Sequence, residues 1–138
     1  MTELPFYGDS FRKTPPIGRL SILEHLVNSY KVWQEIVSRF KKDLRYTLEA
    51  KITTSYLEVL EMIFLASITS GAQKLPILQT ASMKLDLLKF FMQIAWESKA
   101  MDNKKYALFS EQLAQIGRML GGWRKDAAAK LIKANPTP

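Results

Sequence analysis

The 138-residue chain contains no cysteine. That excludes a disulfide framework, thiolate metal sites, cysteine nucleophiles and thiol redox sensing, and it fits a reducing compartment. The amino-terminal run MTELPFYGDS lacks the basic start and apolar core of a secretory signal. Long hydrophobic runs are missing as well. The most apolar stretch, Val59 to Ile68, carries Glu61 and is too short to cross a bilayer. These absences predict a soluble, cytoplasmic protein with no membrane segment.

Catalytic equipment is equally sparse. His25 is the single histidine, and it is expected at or near the surface. A di-iron bundle wants Glu-x-x-His, but the residue three before His25 is Ile22. No His-Glu-x-x-His, Gly-x-x-x-x-Gly-Lys-Ser/Thr or Gly-x-Gly-x-x-Gly is present. Tyr-x-Asp-Asp is absent too, so the chain is not itself a polymerase. Glu58 and Glu61 stand three apart, and a polar stripe explains them better than a catalytic carboxylate pair. The expectation is a protein that is not an enzyme, with no metal and no cofactor.

Hydrophobic residues make up 47%, enough for a single domain with a real core. Lys and Arg total 20 against 13 acidic residues, a net charge of +7. Such an excess favours an anionic partner: nucleic acid, an acidic membrane surface or an acidic protein. Pro5, Gly8, Pro15, Pro16 and Gly18 break any period in residues 1–20, which read as an extended arm.

Residues 21–125 repeat apolar positions at steps of three and four, the period of helices that pack on one another. The first predicted helix starts at Ser21, where Ser21 and Glu24 have capping-box spacing. It continues through Leu23, Leu26, Tyr30, Trp33, Val37 and Phe40. A break is expected near Lys41–Asp43, because one helix to residue 70 would be about 75 Å long. The second spans Thr47 to Ser70, with a wide apolar arc from Ile52 to Phe64, and Gly71 ends it. The third starts at Pro76 and uses Ala81, Leu85, Leu88, Met92 and Ala95. Asp102 caps the fourth, which carries Tyr106, Phe109, Leu113, Ile116, Leu120 and Trp123. Four such helices with short connections predict an all-α, antiparallel up-down four-helix bundle. Residues 126–138 are expected as a basic tail.

Folded up and down, the bundle gathers Arg39, Lys41, Lys42 and Arg45 at one end, with Lys99, Lys104 and Lys105. The other end receives Arg118, Arg124, Lys125, Lys130 and Lys133. The residues alone leave two readings of each cluster. One is phosphate contact, whose affinity falls steeply with salt. The other is a solvated turn, or, for the tail, cations suited to a helix carboxyl end. Trp33, Trp96 and Trp123 offer rings on which bases stack, but all lie on or beside an apolar seam, and core packing is the expected role.

Ile116-Gly117-Arg118-Met119-Leu120-Gly121-Gly122-Trp123 resembles the terminal signature of the accessory variability determinant (Avd) family of diversity-generating retroelements. Lys74–Leu78 with Ala81–Lys89 resembles that family's third helix and its approach, and Lys42–Leu48 its entry to the second. The likeness covers about Leu23 to Lys125. Departures are Glu49, where the family often has glycine, and Gln93, where some relatives carry a basic residue one turn past Lys89. A sister family, encoded within 23S ribosomal RNA genes, typically carries Ser-Asn-Ile-Ala-Glu-Gly in its second helix; this chain reads Glu61-Met62-Ile63-Phe64-Leu65-Ala66-Ser67.

The resemblance implies a homopentameric, basic barrel of bundles. Its partners would be a reverse transcriptase, template RNA and the RNA/DNA hybrid, and its role support of mutagenic cDNA synthesis. The nucleic-acid contacts expected on that basis are Arg39, Lys41, Lys42, Arg45, Lys89, Arg118, Arg124 and Lys125. The alternatives are a structural interaction module and a ribosome-associated bundle.

Overall fold

The computed structural model describes residues 17–39 and 46–134, with the side chains of 17–20 excepted. Helix α1 spans Ile17–Val37, α2 Tyr46–Ile68, α3 Lys74–Glu97 and α4 Asn103–Ala134. A single 3₁₀ turn, Gly71–Gln73, joins α2 to α3. Each helix packs on its neighbours in the chain, and α4 closes the ring against α1. This is the expected up-down four-helix arrangement.

The registers follow from particular contacts. Lys84 of α3 pairs with Glu58 of α2 at 3.7 Å, and Lys51 of α2 lies over the Phe91 ring of α3 at 5.6 Å. Those two pairs fix α2 and α3 antiparallel. Between α3 and α4 the Arg124 guanidinium donates to Ser82 Oγ at 3.1 Å, and Lys89 lies against Gly117. Trp33 meets Phe109 edge-on at 6.0 Å, which ties α1 to α4.

The core is mostly apolar, with Ser29, Glu49, Ser55 and Ser67 buried at its edges or within it. Ile22, Leu26 and Trp33 enter from α1, and Ile52, Tyr56, Val59 and Ile63 from α2. Ala81, Leu85, Leu88, Met92 and Ala95 line α3 as their spacing predicts, and Phe109, Leu113, Ile116 and Leu120 line α4. Two polar links cross this interior. Tyr56 Oη and Ser29 Oγ share a hydrogen bond of 2.8 Å. The Trp33 indole donates to Thr53 Oγ1 at 2.9 Å, and that hydroxyl donates to the Glu49 carbonyl at 2.9 Å. Burial pushes the Tyr56 hydroxyl well above the ordinary tyrosine range, so the bond stays between neutral groups.

Several boundaries differ from those the sequence suggested. Helix α1 begins at Ile17, so Ser21 lies inside it and does not cap it. The Ser21 carbonyl is instead met by the exposed His25 Nδ1 at 2.8 Å. The sequence places Pro16 directly ahead of Ile17, and proline is compatible with a helix start. The buried face of α1 is also turned toward Ile22 and Ser29, because Tyr56 gives the serine hydroxyl a partner and so removes the cost of burying it. Tyr30 and Val37 are only half-buried, and Phe40 lies outside the described residues.

Helix α2 ends at Ile68, and Gly71 with φ +73° makes the turn that a side chain would strain. Helix α3 starts at Lys74, so Pro76 is its third residue, where an amide still has no partner inside the helix. Asp102 caps α4 as expected: its Oδ1 accepts the Lys105 amide at 2.8 Å. The largest difference is at the other end of α4. The helix passes through Gly121 and Gly122 and continues to Ala134. Residues 126–134 are therefore helix, not a separate tail. A groove of about 400 Å³ lies between Ser70, Gly71 and Lys74 on one side and Trp123, Ala127 and Leu131 on the other. Trp123 and Ala127 are partly buried against the core, and Lys74 lies over the Trp123 ring at 5.8 Å, which gives the added turns something to pack on.

Candidate nucleic-acid interface

Helical periodicity sorts the basic side chains into lines. Residues seven apart complete nearly two turns and rise about 10.5 Å. Ser82 and Lys89 are so related on α3, and Gly117 and Arg124 on α4. The two pairs face each other across the α3–α4 seam. Arg118 and Lys125, also seven apart, lie on the outer side of α4, and both are exposed.

Local chemistry leaves these cations largely uncommitted. The Arg118 guanidinium donates to Gln115 Oε1 at 2.7 Å, a neutral partner. Arg124 donates to a serine hydroxyl, also neutral. Lys89 stands 4.0 Å from Asp86, at the outer limit of an ion pair. Lys125 makes no ion pair among the described residues. Lys130, by contrast, is held by Asp126 at 3.2 Å.

Two glycines sit among the α4 cations. A methyl group added at Gly121 or at Gly122 would meet nothing within 4 Å. Neither glycine is therefore explained by packing inside the chain. Each costs the helix roughly 1 kcal/mol relative to alanine. Together they bare the helix backbone between Arg118 and Lys125.

Arg39 stands apart from this group. It follows α1 at the opposite end of the bundle, largely exposed, with its guanidinium 3.3 Å from Glu35. From there to the level of Arg124 is about 30 Å along α4. Lys41, Lys42 and Arg45 lie outside the described residues. The structure thus brings Lys89 and Arg124 together on one seam, sets Arg118 and Lys125 beside them, and keeps Arg39 distant. Lys99, Lys104 and Lys105 share the Arg39 end, as the up-down topology requires.

The tryptophans divide. Trp33 is fully buried and Trp123 partly buried, in line with a packing role. Trp96 differs from the expectation: it is exposed and lies flat on Tyr106, with centroids 4.6 Å apart and planes 5° from parallel. It sits one residue from the end of α3, where the bundle has no further layer to cover it. Glu58 and Glu61 do not face each other, since Glu58 turns to Lys84. Among the described residues no cluster of His, Asp or Glu has the make-up of a metal site, and no helix is long and apolar enough to cross a membrane.

Apolar surface is the feature that sequence reasoning placed least well. Met83, Leu87 and Phe90 of α3 are 61%, 46% and 53% exposed at positions i, i+4 and i+7, pointing away from the core. Leu57, Phe64 and Ile68 of α2 are exposed too. The wide arc of α2 was readable from its sequence. The α3 stripe was hidden by the stronger seam on the opposite side of the same helix.

A family model described as bAvd-like matches residues 22–127, about three-quarters of the chain. No curated protein and no solved structure matches.

Proposed function

The chain belongs to the bAvd-like family, and from that premise we propose that it is a non-catalytic, nucleic-acid-binding accessory protein of a diversity-generating retroelement. In this role it binds the reverse transcriptase together with template RNA and the RNA/DNA hybrid, and supports mutagenic cDNA synthesis. Arg39, Lys41, Lys42, Arg45, Lys89, Arg118, Arg124 and Lys125 contact phosphate. The working form is a homopentamer.

The observation that carries the reading is the α4 surface, where Arg118, Arg124 and Lys125 surround backbone bared by Gly121 and Gly122. Cations without acidic partners repel one another, and a polyanion relieves that repulsion. Bare helix backbone lets a phosphodiester chain approach closely. Cations spaced along a helix face in this way suit contact with backbone and shape. The exposed apolar stripes of α2 and α3 support assembly, because contiguous apolar surface of this kind usually meets a partner.

A salt titration of RNA binding tests the phosphate contacts. Each neutralised phosphate contributes about −0.7 to −0.9 to the slope of log affinity against log salt. Replacing Arg118, Arg124 and Lys125 together by glutamine should flatten that slope by about 2 to 3 while leaving the fold intact. An unchanged slope would remove these three residues from the interface.

A further inference from the structure

We propose that the α3–α4 turn carries a stacking platform for an unpaired nucleobase, with Trp96 as its ring. The proposal rests on the nucleic-acid reading above and adds to it a preference for single-stranded segments at this end of the bundle.

Trp96 is held in place before any ligand arrives. Its Nε1 donates to Asn103 Oδ1 at 2.7 Å, so the one polar atom of the ring is satisfied. One face of the indole is set by the parallel contact with Tyr106. The residue nonetheless remains 36% exposed. A ring whose orientation is already fixed loses little freedom on binding, and every base has a face to stack on it.

The surroundings suit a nucleotide. A groove of about 550 Å³ lies against Trp96, bounded by Glu97, Lys99, Met101, Asp102 and Asn103. Lys99 has φ +64°, a left-handed conformation uncommon for a residue with a side chain. The turn is locked by the Lys99 amide on the Trp96 carbonyl at 3.0 Å and the Ala100 amide on the Ala95 carbonyl at 2.8 Å. Both carboxylates at the groove are occupied. Asp102 accepts the Lys105 amide and ammonium, and Glu97 accepts the Gln93 amide at 3.1 Å. Lys99 and Lys104 make no ion pair among the described residues and are available to flanking phosphates.

The platform is also in line with the phosphate contacts. Trp96 lies seven residues beyond Lys89, which lies seven beyond Ser82, the partner of Arg124. Ring, lysine and arginine therefore follow the α3–α4 seam at intervals of about 10 Å. A single strand laid along it places a base on Trp96 and its backbone over Lys89 and Arg124. A continuous duplex keeps its bases stacked inside and presents no face to the ring.

The test compares two probes of about 16 nucleotides at about 0.1 M salt, one an unpaired single strand and the other a fully paired duplex. Wild-type protein should bind both. Trp96→Leu should weaken the single strand by about 5- to 100-fold and leave the duplex unchanged. Trp96→Phe, which keeps a stacking ring, should recover most of the loss. Quenching of tryptophan fluorescence by the single strand should fall in Trp96→Leu to the part that Trp123, partly buried beside Arg124, contributes, because Trp33 is out of reach in the core. Equal losses on both probes would show that the ring serves only to hold the turn, and would overturn the platform. So would unchanged single-strand binding. If wild-type protein bound neither probe, the nucleic-acid reading would fall first and the platform with it.

Discussion

Trp33 has no solvent exposure, and the acceptor for its indole N–H comes from another helix. Thr53 relays that bond to the Glu49 carbonyl, so one hydroxyl serves two groups. Thr53→Val keeps the shape and removes the oxygen. Loss of this acceptor from a core indole should cost about 1–3 kcal/mol in chemical denaturation, and Thr53→Ser should restore much of it. Asp102 offers a pH-dependent counterpart. The Lys105 amide, aided by the Lys105 ammonium, holds its carboxyl below the usual carboxylate range. Its ionised form therefore adds stability that is complete above about pH 4 and lost as pH falls through the lower, folded value. Asp102→Asn keeps a cap acceptor without the charge. Melting curves across acid pH should show wild type ahead at neutral pH and the gap closing in acid. Neither residue's detailed role was legible in the sequence. Asp102 was recognisable as a cap from its place before α4. The Thr53 relay depends on the α1–α2 register, which no local pattern states.

Helix α4 shows where pattern reading succeeds and where it stops. Its seam from Tyr106 to Trp123 was legible because steps of three and four continue without interruption. Its end was not, because the Gly121–Gly122 pair fits either a helix end or close packing within the helix. The helix continues because Trp123 and Ala127 pack against the core beyond the two glycines, and such tertiary packing outweighs local propensity. The same argument explains α1, whose buried face is set by a hydroxyl pair and not by apolar spacing alone. Gly122 gives the element-scale prediction. With nothing within 4 Å of an added methyl group, Gly122→Ala should stabilise the isolated chain by about 1 kcal/mol in denaturant titrations. The same exchange should weaken RNA binding, since the methyl group stands in the bared stretch between Arg118 and Lys125. A gain in stability without any loss of RNA affinity would mean that no partner approaches there.

At the scale of the whole molecule, the four-helix arrangement was legible from periodicity, short connections and the absence of hairpin signals. The clustering of charge by bundle end followed from that topology. The separation of Arg39 from the α4 cations was legible from that same topology; what sequence could not supply were the outward positions of Met83, Leu87 and Phe90. Those depend on how one helix is rotated against the next. The exposed stripes and the uncommitted cations belong to one account: apolar faces meet protein, and the basic surface meets nucleic acid. The most direct test is a tagged pull-down from the native host at low salt, with RNA sequencing and mass spectrometry on the eluate and its assembly mass measured. The account predicts recovery of a reverse transcriptase and one short, structured RNA, bound to a pentamer of this chain. A homo-oligomer free of both, or one carrying ribosomes in their place, would contradict it.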